Sequence, residues 1–183
     1  MSKLVIFTCS PNKKGTTATL LAEVAKGARE KGAEVVEFDM NAPGIRGCQA
    51  CNACSDADAE CECVQNDALR PMYKDLREAD GVLIGSPIYM GSLTAQAWLL
   101  LNRLRPASGP NFTPRIPGKR FATVITQGNA DAEMFKPVAE RLQAQAERRG
   151  WESVGSIIWA SAGGEPSAEL KKEAFETGQR LVK

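Results

Sequence analysis

Five of the six cysteines, Cys48, Cys51, Cys54, Cys61 and Cys63, fall within one window of sixteen residues, and Cys9 stands apart. The spacing is C-x2-C-x2-C, followed by x6 to Cys61 or x8 to Cys63. Three thiolates at that pitch can cap one face of a cubane iron-sulfur cluster, with a later cysteine as fourth ligand. Three rival readings stand beside it: a zinc ion on four thiolates, a redox-active disulfide, and a loop that has lost its cluster. Zinc usually pairs two C-x2-C knuckles across a longer gap, so the compact triple favours iron and sulfide. The chain contains no histidine, which removes imidazole bases, Ser/His/Asp or Cys/His relays and His-ligated metals. Asp56, Asp58, Glu60 and Glu62 surround the later cysteines, and their negative charge predicts a cluster of low potential.

A second set of residues could hold an anion. The run Cys9-Ser10-Pro11-Asn12-Lys13-Lys14-Gly15-Thr16-Thr17 leads from an apolar strand into a helical pattern. Exposed N–H groups at a helix start favour a phosphate, and Ser10, Asn12, Lys14, Gly15, Thr16 and Thr17 bring hydroxyl, amide and ammonium donors to it. The loop is not a P-loop, because Gly-Lys-Ser/Thr is missing, and it lacks the spaced glycines of a dinucleotide fingerprint. A plain polar turn with a helix cap is the competing reading. Further along, Ser86-Pro87-Ile88-Tyr89-Met90-Gly91-Ser92 offers an aromatic ring and backbone N–H groups at a tight turn, which suits a flat heteroaromatic ring.

These loops need a scaffold, and the hydrophobic pattern supplies one. Apolar, β-branched runs at Lys3-Thr8, Ala33-Asp39, Gly81-Ser86, Arg120-Gln127 and Ser153-Ala160 read as strands buried on both faces. Between and after them, helical periodicity predicts helices at Thr16–Lys31, about Asp67–Ala79, Leu93–Leu104, about Ala132–Arg149, and Ser167 to the end. Five strand-helix repeats imply an α/β fold with a doubly wound parallel sheet. Ligands in such sheets bind beyond the carboxyl ends of the strands, where all the loops above fall.

Together the loops resemble the flavodoxin-like NAD(P)H-dependent FMN reductase family. That family has a Ser-Pro loop for the FMN phosphate and a Ser-Pro-x-Tyr-x-Gly-Ser loop at the isoalloxazine. Cys9 departs from the glycine often found there. The resemblance implies five strands in the order 2-1-3-4-5 and flavin contacts from Pro87, Ile88, Tyr89, Met90, Gly91 and Ser92. Thr126, Gln127 and Gly128 fall where the family has a third flavin loop. The cysteine motif resembles that of the iron-sulfur flavoprotein branch, which carries FMN and a [4Fe-4S] cluster. Cys63-Val-Gln-Asn-Asp67 resembles the segment by which that family enters its second helix, so Cys48, Cys51, Cys54 and Cys63 are the expected ligands, with Cys61 as the alternative fourth. One phosphate loop and no second fingerprint predict FMN rather than FAD.

At 183 residues, 43% hydrophobic and 25% charged, the chain is expected to be one flavodoxin-like domain, residues 1–183, with a Cys-rich insertion at about 45–66. The net charge of +1 gives no drive toward nucleic acid or anionic membrane. Leu4–Phe7 is too short an apolar run for a signal peptide or a span, so a cytoplasmic protein is expected. Expected partners are a small-molecule or protein electron donor, NAD(P)H or ferredoxin-like, and an acceptor. A helix apolar over more than half its circumference, followed by the long stretch Pro106–Gly118, predicts a homodimer or homotetramer. Two other functions remain open: a cluster-free NAD(P)H-dependent FMN or quinone reductase, and a non-catalytic electron carrier or redox sensor.

Overall fold

The computed structural model describes residues 1–183. Strands β1 (Lys3–Thr8), β2 (Glu34–Asp39), β3 (Gly81–Tyr89), β4 (Ser92–Leu93), β5 (Arg120–Gln127) and β6 (Glu152–Ala160) form one sheet. The path is β2-β1-β3-β5-β6, all parallel, and β4 pairs antiparallel with the end of β3. With that short hairpin set aside, the order is the doubly wound one expected. Alternation along β1 sorts the two cores: Val5 and Phe7 face α2 (Met72–Glu78), α3 (Ala95–Arg103) and α4 (Lys136–Glu147), whereas Leu4 and Ile6 face α1 (Thr16–Glu30) and α5 (Ala168–Leu181). No helix is long and apolar enough to cross a membrane.

Four boundaries differ from expectation, each for a local reason. Helix α2 starts at Met72 rather than Asp67: Pro71 disfavours helical geometry at Arg70, and the Asp67 carboxylate is engaged by Arg103 and the Leu69 N–H. Strand β3 runs on to Tyr89, because Met90 (φ 50°) and Gly91 (φ 76°) form a two-residue hairpin turn. That hairpin takes Leu93 from α3, which begins after Thr94, whose hydroxyl accepts the Ala97 N–H at 3.2 Å. Helix α4 starts only at Lys136, since the Asn129 and Asp131 side chains accept backbone N–H groups and hold the preceding residues in turns. The 106–118 stretch is tied down within the chain by short 3-10 turns and a Ser108–Pro114 bridge, leaving Trp98 as the exposed apolar group of α3.

Helices α1 and α5 touch backbone to backbone through Gly27 and Gly178. A Cβ on Gly178 would collide with the Val24 carbonyl, and one on Gly27 with that of Phe175. Gly178→Ala is therefore expected to destabilise the fold by about 1–3 kcal/mol, overpacking outweighing the better helix propensity. Urea denaturation checks this, with FMN affinity expected to stay unchanged.

Candidate cofactor sites

The carboxyl ends of β1, β3, β5 and β6 border an open trough of about 170 Å³. Eleven of the residues expected there line it: Ser10, Asn12, Gly15, Thr16, Thr17, Pro87, Ile88, Tyr89, Thr126, Gln127 and Gly128. Lys14, Met90, Gly91 and Ser92 do not; Gly91 and Ser92 line the neighbouring cavity instead, carried past the trough by the hairpin. Trp159 joins the lining unanticipated. It lies near the end of β6, in register with Thr126, and a lone aromatic at the ligand-binding end of a strand was the signal available.

Local bonding shapes the trough for an anion. Gly15 caps α1 with no side-chain hydrogen bond, and no acidic residue occupies the first turn, so the N–H groups there have no side-chain acceptor. The Thr17 and Thr126 hydroxyls share a buried hydrogen bond of 2.8 Å, which locks the helix start onto β5. Thr17 is thus a structural tie. Thr94 donates to the Cys9 carbonyl at 2.7 Å, and Cys9 is a buried core thiol whose pKa burial pushes up, keeping it neutral. Gln127 gives its amide hydrogens to the Asn129 and Asp131 carbonyls, leaving its Oε1 buried in the trough wall without a partner.

A second recess is formed by the cysteine loop. Cys48, Cys51, Cys54 and Cys63 all line it, with Gln65, Arg103 and Arg105. Cys61 does not: it is 3% exposed and packs into the core with Leu69 and Met72, its thiol pushed up to about 11 by burial. Left-handed backbone at Ala50 and Asn52 curls the loop, and the Ala50 N–H donates to Cys48 Sγ at 3.4 Å. Arginines pin the loop from outside. Arg115 donates to the Cys54 carbonyl at 2.7 Å and to that of Asp56, and Arg105 to Ser55 Oγ at 3.2 Å. Asp56, Asp58 and Glu60 are exposed, whereas Arg103, paired with Asp67, and Arg105 line the recess. No group of three or more Cys, Asp or Glu side chains converges at the spacing of a single ion.

The description "NADPH-dependent FMN reductase" belongs to the family model that matches residues 2–155. The chain belongs to that family. An iron-sulfur flavoprotein of Archaeoglobus fulgidus is 33% identical over 133 residues, 72% of this chain and 63% of that one. One from Methanocaldococcus jannaschii is 32% identical over 57% of this chain and 52% of its own length. This member of the reductase family thus spans about half to two thirds of those relatives. Among solved structures, an NAD(P)H:quinone oxidoreductase from Methanothermobacter marburgensis superposes with a TM-score of 0.71 at 13% identity, over 98% of this chain and 94% of that one. At that identity the likeness speaks for the flavodoxin-like fold.

Proposed function

We propose that the chain is an iron-sulfur flavoprotein, holding FMN in the trough and a [4Fe-4S] cluster on Cys48, Cys51, Cys54 and Cys63. In this reading it moves electrons between a donor, NAD(P)H or a ferredoxin-like protein, and an acceptor. The observation that carries it is the sorting of the cysteines: the four proposed ligands share one recess and Cys61 is withdrawn into the core. The compact C-x2-C-x2-C run supports a cubane over zinc, which usually pairs two C-x2-C knuckles across a longer gap. When bound, FMN takes up two electrons and releases them singly, and the cluster carries one at a time.

The chain's own residues bind and position. The uncapped start of α1, with Ser10, Thr16 and Thr17, takes the FMN phosphate, and Tyr89 and Trp159 border the ring. In the other recess, Ala50 N–H and the arginine clamp keep the thiols in place for the metal.

The test compares Cys61→Ser with Cys63→Ser after anaerobic reconstitution. Cys63→Ser is expected to lose iron and sulfide while Cys61→Ser keeps both; the opposite result would reverse the ligand assignment. A cluster-free reductase is the second reading, favoured by the family description alone. Anaerobic reduction by NAD(P)H without any iron or sulfide would select it. Self-association is also proposed, with the exposed Trp98 on α3 at the contact, and a monomeric mass in solution would refute it.

A further inference from the structure

Four buried side-chain atoms have no hydrogen-bond partner, and one of them, Gln65 Oε1, belongs to the wall of the cysteine recess. Gln65 is 8% exposed and makes its side-chain bonds through the amide nitrogen alone. Nε2 donates one hydrogen to the Gly47 carbonyl at 3.0 Å and the other to Cys63 Sγ at 4.0 Å, a long contact of the kind sulfur allows. The Gly47 carbonyl can only accept, which settles which end of the amide carries the hydrogens. One side chain thus ties the residue before Cys48 to Cys63, joining the first proposed ligand to the last. Its unpaired carbonyl end costs the fold stability that an apolar side chain would not, so the work of the nitrogen must account for the glutamine.

Among the four thiols of the recess, Cys48 and Cys63 receive hydrogen bonds, from the Ala50 backbone N–H and from Gln65. The guanidiniums at the recess are committed elsewhere: Arg103 to Asp67 and the Arg46 carbonyl, Arg105 to Ser55 and the Ser108 carbonyl. Gln65 is therefore the side-chain donor to this set of thiols. Gln49 supplies the contrast, because its Nε2 also donates to the Gly47 carbonyl at 3.0 Å, while its side chain is exposed and bonds no thiol.

We propose that Gln65 is a positioning residue for the cluster, holding Cys63 Sγ in place and raising the reduction potential by donating an N–H to that sulfur. This rests on the reading above in which Cys63 is a ligand. An N–H at a thiolate offsets the negative charge that grows there when an electron arrives, so it favours the reduced state over the oxidised one.

A redox titration of the anaerobically purified, FMN-loaded protein, followed by electron paramagnetic resonance, tests this with the flavin potential as internal reference. Gln65→Met keeps a side chain of similar length and removes both bonds. Its one-electron reduction equilibrium is expected to fall at least ~threefold, which is about 28 mV, with iron content and flavin potential unchanged. Gln49→Met, which removes a Gly47 bond alone, should leave both potentials where they are. An unmoved cluster potential in Gln65→Met, or an equal shift in Gln49→Met, would overturn the inference. If Gln65→Met fails to fold or to hold iron, Gln65→Lys decides, since its ammonium restores a donor. That variant is expected to hold iron at a potential no lower than wild type, and failure on either count would overturn the inference. Wild-type protein without iron or sulfide would strike the function proposed above and this inference with it, whereas a wild-type cluster indifferent to Gln65 would strike this inference alone.

Discussion

Thr16→Asp is expected to raise the Kd for FMN by roughly a thousandfold. Two like charges at contact distance near a surface repel by about 4 kcal/mol, and each ~1.4 kcal/mol is a factor of ten. Thr16 lines the trough in the first turn of α1, where neither a capping side chain nor an acid competes for the N–H groups. An aspartate there satisfies those donors itself and sets its charge against the phosphate. Thr16→Ala removes only one hydroxyl donor and should cost about tenfold or less. Fluorescence quenching of added FMN checks both. Unchanged affinity in the aspartate variant would remove the phosphate from this helix end. Thr17 is the poorer probe, since its hydroxyl also holds Thr126 and a change there disturbs the fold.

The second large effect is on stability. Arg103 and Asp67 form an ion pair at 2.5 Å with side chains 1% and 2% exposed, and Arg103 also donates to the Arg46 carbonyl. The Tyr73 hydroxyl bonds the Arg103 carbonyl, closing the network. Removing one partner leaves a buried charge alone, so Arg103→Met should cost about 3–5 kcal/mol by urea denaturation, and Arg103→Met with Asp67→Leu should recover much of it. Burial works against the Asp67 carboxylate, yet the Arg103 bond and the Arg46 and Leu69 N–H groups hold its pKa below the usual carboxylate value. A carboxyl with a lowered native pKa stabilises above its ordinary value, about 4, and that stabilisation fades as the pH falls through the native one. The gap between wild type and Arg103→Met is therefore expected to narrow in acid. A gap independent of pH would contradict the role given to the pair.

The parallel sheet was legible because Lys3–Thr8 and Arg120–Gln127 are continuous apolar strands followed by loops, and such runs only make sense covered on both faces. That Ser10 to Thr17 would border the trough was legible for the same reason, since the loop is local and sits between one strand and one helix. What escaped depends on groups far apart in the chain. Asp67 reads as the start of a helix until Arg103, thirty-six residues later, takes its carboxylate. Trp159 reads as core until β6 pairs with β5 and brings it beside Thr126. The Met90-Gly91 turn has a short-range signal in its glycine, but Ser92 and Leu93 are too few to show a strand's alternation. The burial of Cys61 needs the whole core around Leu69 and Met72, whereas its sequence neighbours are the acidic Glu60, exposed, and Glu62, half-buried.

The most direct test of the account is the visible spectrum of the protein purified without oxygen, read together with its flavin, iron and acid-labile sulfide content. The account predicts FMN equimolar with the chain, iron and sulfide in equal amounts, and a broad cluster absorbance beneath the flavin bands that bleaches on reduction. FMN with no iron or sulfide would contradict the cluster, and a colourless protein that takes up no added FMN would contradict the reading as a whole.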